Sequence, residues 1–272
     1  GDERMRVDAD LVAVCCGAVN SAALLLRSAN WAHPSGVGNS SGLVGRRYMA
    51  HLATMMAGFY PFRRNPTVFQ KTVAINDFYL EGPDGGHPLG QIQSQGRTHG
   101  VMAQTVVPIV PLAFYDYWVA RGFDWLAMTE DLPDPDNRVT VTAEGQIQLS
   151  YRPTNEGAHG RLVEKVREML RGLGMRIQYV HAHNTANTTH QCGTACFGTD
   201  PASSVLDPYC RTHDVENLFV VDASFFPSSA AVNPGLTIVA QALRVADHIR
   251  GTEWRRPAEV GDQVGAGQGG TA

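Results

Sequence analysis

The chain has 272 residues, 43% of them hydrophobic and 18% charged, which gives it a sizeable core and excludes a disordered polypeptide. Lys and Arg total 22 against 26 Asp and Glu, and the formal charge of −4 argues against a dedicated nucleic-acid binder with a basic surface. The 5 cysteines, an odd number in a chain long enough to bury its own core, read as free thiols, and no apolar run reaches the roughly 18–20 residues that span a bilayer.

Residues 1–6 are charged and do not read as a signal peptide. They lack an initiator Met, so the gene product need not begin here; the compartment stays open, with the cytoplasm as default. Residues 11–16, Leu-Val-Ala-Val-Cys-Cys, form a short apolar run of the kind that makes a strand buried on both faces in a parallel sheet. Gly17 ends it, and Asn20 or Ser21 supplies a cap for a helix over Ala22 to Leu26. This is a strand–glycine–helix unit of the α/β kind. From residue 52 to about 152 the texture changes to strand-like pieces between Gly/Pro turns, including a hairpin from Val139 to Tyr151 around Gly145. Their alternation predicts an antiparallel sheet with one buried face. Between them, residues 108–121 carry Phe114, Tyr115, Tyr117 and Trp118, read as a helix or loop beside a pocket.

Leu162, Val163, Val166, Met169, Leu170 and Leu173 fit one face of an amphipathic helix closed by Gly172 or Gly174. Residues 218–221 predict a second short buried strand. Pro234 to Arg250 predicts a second long helix, with Asn233 as cap and Pro234 at the favoured first position. The tail 254–272 is Gly-rich and polar, and predicts disorder.

Two places could carry chemistry. The first is His190-Gln191-Cys192-Gly193-Thr194, with His181, His183 and the polar Asn187-Thr188-Thr189 just upstream. The second runs from Asp222 to Thr237 and places a strand end, a loop of small residues and a helix N-terminus in sequence. A helix N-terminus carries unpaired N–H groups and partial positive charge, and strand-to-helix loops of α/β sheets hold ligands. By residue type alone, Asn233 is more often only a cap, and a loop histidine is more often hydrogen-bonded than catalytic. His190, Cys192 and Cys196 could suggest a metal, but no further ligand set follows at zinc spacing, which favours buried thiols and no metal site. Ser224, Ser228 and Ser229 lack a nucleophile elbow. Trp118 and Trp125 are by default core residues.

These segments form an ordered set. The run from His190 to Asp200 is followed by Ser204-Val205-Leu206-Asp207-Pro208, then residues 217–227, then Asn233-Pro234-Gly235-Leu236-Thr237 and Ala246-Asp247-His248-Ile249. Upstream lie Gly17-Ala18-Val19-Asn20-Ser21, Gly42-Leu43-Val44-Gly45-Arg46 and residues 131–139. In this order, from about Asp8 to about Arg250, the chain resembles the C-terminal portion of the glucose–methanol–choline (GMC) family of FAD-dependent oxidoreductases.

The resemblance implies an α/β plus α+β architecture, the C-terminal half of a GMC fold. A partial FAD-binding α/β domain, residues 1–51 and 188–253, would carry an inserted antiparallel-sheet substrate domain, residues 52–187. It assigns His190 as the base that takes the alcohol proton and Asn233 as the group that holds the substrate oxygen. The backbone at Asp222 and Ala223 and at Asn233, Pro234, Gly235 and Leu236 would contact the flavin. The substrate would be a small-molecule alcohol, expected to be a sugar or glycoside because residues 131–139 resemble sugar and gluconate dehydrogenases. The family's G-x-G-x-x-G loop for the FAD pyrophosphate has no counterpart here, so the expected partner is an N-terminal FAD-binding half, without which FAD would bind poorly. The alternative is a non-catalytic remnant or binding subunit that keeps part of the fold.

Overall fold

A computed structural model describes residues 5–67, 69–106, 108–182 and 188–252. His183, Asn187 and the tail 254–272 lie outside the described residues.

Strand β1 (Val12–Val14) pairs in parallel with β10 (Leu218–Val220), bringing the two ends of the chain together. Only Val14 of β1 is buried, while Val12, Ala13, Cys15 and Cys16 are exposed. The expected burial on both faces is therefore not met, because this ladder has two strands and one covered face. Helix α1 (Ala18–Arg27) starts directly after Gly17, whose φ of 83° turns the chain out of the strand. Asn20 and Ser21 thus lie inside the helix and do not cap it. The Ser21 hydroxyl instead donates to the Asp222 carboxylate, which also accepts the Gly17 N–H at 2.9 Å.

The second body is an antiparallel sheet built around the long strand β2 (Met49–Phe59). Its order is β3 (Ala74–Ile75), β4 (Gln91–Gly96), β5 (Gly122–Thr129), β2, β8 (Ile177–Ala182), with β9 (Thr189–Cys192) pairing to the start of β2. One face is covered by α4 (Glu156–Gly172), where Leu162, Val166 and Leu170 are fully buried against Met56, Ile92, Trp125 and Ala127. That i, i+4, i+8 stripe is the one the sequence predicts. Leu173 departs from it, being 51% exposed as the helix's C-cap, and Gly174 at φ 83° completes the stop.

The other sheet face looks toward α2 (Gly100–Val106) and α3 (Leu112–Val119), so the aromatic segment is helical. The hairpin β6 (Arg138–Val141) and β7 (Ile147–Ser150) forms as expected but stays out of the large sheet. Val139 packs instead into the core of α1, β1 and β10. Helix α5 (Gly235–Thr252) closes the described chain. Among the described residues no helix is long and apolar enough to cross a membrane.

The two bodies are joined where β9 meets β2, and Gly193 sits at this seam. Its φ is 79°, and a Cβ placed there would lie 2.1 Å from the Arg47 carbonyl oxygen. Gly193→Ala is therefore expected to destabilise the chain by about 2 kcal/mol or more, because backbone must move on both sides. Urea unfolding checks this, and an unchanged midpoint would show that the seam yields freely.

Candidate active site

His190 lies in β9 at φ 56°, beside a register shift in the β2–β9 pairing between Met49 and His51. A non-glycine residue in the left-handed region inside a strand is uncommon and marks a local constraint. The bend sets the His190 imidazole between two partners. Its Nδ1 is 3.0 Å from Nδ1 of His51, with the rings edge to face at a centroid distance of 4.9 Å. Its Nε2 is 3.1 Å from Nδ2 of Asn233. The structure therefore brings together the two side chains singled out in the sequence.

Asn233 precedes α5, but its carboxamide does not cap the helix. Its Oδ1 accepts a hydrogen bond from Nε2 of Gln93 at 2.9 Å, while its Nδ2 faces His190. Gln93 also donates to Gln91 at 3.2 Å, and Gln91 donates to Asn76 at 2.8 Å. Sequence reasoning missed His51 and Gln93. The alternation Gln91-Ile92-Gln93 was a usable signal, since it predicts a polar row on one face of a strand. His51 carried no local signal: its other ring nitrogen, Nε2, meets the Ser229 carbonyl at 2.9 Å, a partner 178 residues away.

The expected flavin contacts divide into two groups. Pro234, Gly235 and Leu236 lie at the start of α5 next to Asn233. Leu236 is 83% exposed, and a Cβ at Gly235 would meet nothing within 4 Å. Asp222 and Ala223 are buried. The Asp222 carboxylate accepts from Gly17, Ser21 and the Ser224 N–H, and the Ala223 carbonyl accepts from the Gly193 N–H at 3.0 Å. This carboxylate thus clasps β10 to α1 from within the chain.

On the same sheet face as His51 and Gln93 lies a cavity of about 460 Å³, lined chiefly by Met55, Phe59, Met102, Phe114, Trp118 and Tyr179. The register explains the placement. Gln93 pairs with Leu126 and Leu126 with Met55, in one row across β4, β5 and β2, and His51 shares the parity of Met55. Trp118 lines the cavity, while Trp125 is a core residue. Asp124 also borders this space. Burial pushes its carboxyl above the usual range, against hydrogen bonds from the Thr98 hydroxyl and N–H. Cys192 and Cys196 are buried with thiols pushed up by desolvation, and among the described residues no group of three or more His, Cys, Asp or Glu side chains could hold a metal ion.

Residues 133–242 match a family model for the C-terminal domain of GMC oxidoreductases. A paromamine 6'-oxidase of Streptomyces fradiae is 31% identical over 90% of this chain and 46% of its own length. A 2-methyl-1,2-propanediol dehydrogenase of Mycolicibacterium austroafricanum is 28% identical over 96% of this chain and 50% of its own. The chain thus spans about half the length of the curated relatives it matches. Among solved structures, an Aspergillus oryzae formate oxidase studied for its FAD modification superimposes with a TM-score of 0.61 at 14% identity, covering 89% of this chain and 54% of that one. Family model, curated relatives and shared fold converge: the chain belongs to the GMC oxidoreductase family and corresponds to the C-terminal part of its members.

Proposed function

We propose that this chain supplies the proton-accepting site of an FAD-dependent enzyme that oxidises a CH–OH group. The observation that carries the reading is the 3.1 Å approach of His190 Nε2 to Asn233 Nδ2 at the start of α5. A hydroxyl oxygen at hydrogen-bond distance from both atoms completes a triangle. His190 then accepts the O–H proton at Nε2, and the Asn233 N–H donates to the oxygen as it gains negative charge. Gln93 holds the Asn233 carboxamide in the orientation that presents this N–H.

The start of α5 suits a flavin. Its first N–H groups have no partner within the helix, it carries the positive end of an 18-residue dipole, and the open space at Gly235 lets a ligand come close to the backbone. Leu236, Val239 and Leu243 form an exposed apolar stripe along the same helix. Asp222, Ala223, Asn233, Pro234, Gly235 and Leu236 are the residues we assign to FAD. FAD, when bound, supplies the acceptor for the hydride. Residues 1–51 and 188–253 form the flavin side and residues 52–187 the substrate side. The remaining FAD contacts come from an N-terminal dinucleotide-binding half as partner.

For the substrate we propose a sugar or glycoside. The Gln91–Gln93 amide row makes this sheet face polar, and the aromatic cavity on the same face offers surfaces to the apolar face of a ring. A family member named for paromamine supports the same class.

Asn233→Ala in the flavin-loaded enzyme is expected to slow flavin reduction by about 10–100-fold, less than loss of the base, because one pre-placed donor to the alkoxide disappears. Stopped-flow absorbance of the flavin measures it. A rate equal to or above the parental one would contradict the assigned role.

A further inference from the structure

We infer that His51 is a positioning residue that holds His190 in the tautomer protonated on Nδ1, leaving the Nε2 lone pair for the substrate proton. The inference rests on the reading of His190 as the base.

The argument runs along one chain of hydrogen bonds. The Ser229 carbonyl can only accept, so His51 Nε2, at 2.9 Å, must carry a proton. His51 is 3% exposed, and burial draws its pKa below the usual histidine value despite the opposing influence of the Ser229 carbonyl and of Glu130 and Asp131. A neutral ring protonated on Nε2 has its lone pair on Nδ1. His190 Nδ1, 3.0 Å away, must therefore be the donor of that bond. In neutral His190 this leaves the lone pair on Nε2, which accepts from Asn233 Nδ2. The far end agrees independently. Gln93 donates to Asn233 Oδ1, which fixes the carboxamide with its N–H toward His190. Every donor in the chain points the same way, from Gln93 through Asn233, His190 and His51 to Ser229.

Ser229 is itself held. Its hydroxyl accepts from the Asp131 N–H at 2.9 Å and donates to the Asp131 carbonyl at 3.0 Å. During turnover only the Asn233 N–H has to turn from His190 Nε2 to the substrate oxygen, and the His51 side of the ring stays as it is. When the substrate O–H bond breaks and the proton arrives on His190 Nε2, the Nδ1–H bond to His51 is already in place and steadies the imidazolium.

The test is the 15N spectrum of the histidine side chains in the whole chain, where two-bond N–H couplings separate the tautomers. His190 is expected to appear as the Nδ1–H form, and an Nε2–H form in the parent protein overturns the inference. In His51→Leu the acceptor is lost and His190 is expected to shift toward the Nε2–H form that solvated imidazole prefers. In His51→Gln an amide can donate to Ser229 and accept from His190, so the Nδ1–H form should persist. In the flavin-loaded enzyme His51→Leu is expected to slow flavin reduction by about 10–100-fold, and His51→Gln to recover most of that loss. An unshifted tautomer in His51→Leu, or equal losses in the two variants, overturns the role. A tautomer shift alongside full-rate reduction in His190→Ala would instead sink the base assignment and leave the hold of His51 on the ring standing.

Discussion

Replacing His190 by alanine in the flavin-loaded enzyme is expected to cut substrate-driven flavin reduction by about 10²–10⁴-fold while leaving the flavin bound. The range follows from the work proposed for the imidazole. An alcohol proton is very weakly acidic, and hydride cannot leave carbon readily unless the oxygen releases that proton. In the proposed function His190 Nε2 takes it, with Asn233 Nδ2, 3.1 Å away, to hold the oxygen. The imidazole lies beside the start of α5 and is not among the residues assigned to the cofactor, so flavin content should stay near parental. Rapid-mixing absorbance gives the rate and the resting spectrum gives the occupancy. A parental rate would end the proposal for this residue, and added imidazole restoring part of the rate would strengthen it.

Asp131→Ala is expected to lower the stability of the chain by about 3 kcal/mol or more, a fall in apparent Tm of roughly 10 °C. Asp131 is fully buried. One carboxylate oxygen accepts from the Thr154 hydroxyl at 2.7 Å and its N–H at 3.0 Å, and the other from the Tyr151 hydroxyl at 3.0 Å. Alanine would take this acceptor from the buried Ala50 N–H and from the Thr154 N–H, and would leave the Thr154 and Tyr151 hydroxyls only the Leu132 and Ala50 carbonyls, at 3.0 and 3.3 Å; each stranded donor costs about 1–3 kcal/mol. Tyr151 reports the same contact: burial and the neighbouring carboxylate push its phenol well above the usual range. Asp131→Asn keeps an acceptor for Thr154 and can donate to the Tyr151 oxygen, so it should recover most of the loss. Thermal unfolding decides the matter. Equal losses in the two variants would show that the negative charge, rather than the number of acceptors, is what the site requires.

Local pattern was enough for elements whose partners lie nearby. Leu162, Val166 and Leu170 announce a helix face because 3.6-residue periodicity is a property of the segment itself, and the Gly145 hairpin is equally self-contained. Errors arose where a distant partner decides. Ser21 looks like a cap, yet its hydroxyl serves a carboxylate 201 residues away. Residues 11–16 look doubly buried, yet only Val14 is, since apolar character does not state how many strands lie alongside. Asn233 looks like a cap and is instead held by Gln93, 140 residues earlier. The pairing of His190 with Asn233 was legible only through resemblance. His51 and Gln93 were not, because a histidine opening a strand and a glutamine within one are common residues until the fold sets them side by side.

His51, Gln93, His190 and Asn233 come from four separate stretches of chain, three from strands of the large sheet and one, Asn233, from the start of α5 on the α/β side. No single folding unit contains the working set. On the proposed function, turnover therefore monitors how the two bodies are seated on each other. A lesion that lets the sheet rock by an ångström against its neighbour should silence the reaction while circular dichroism still reports an intact chain. Catalysis, in such a molecule, fails earlier than structure does.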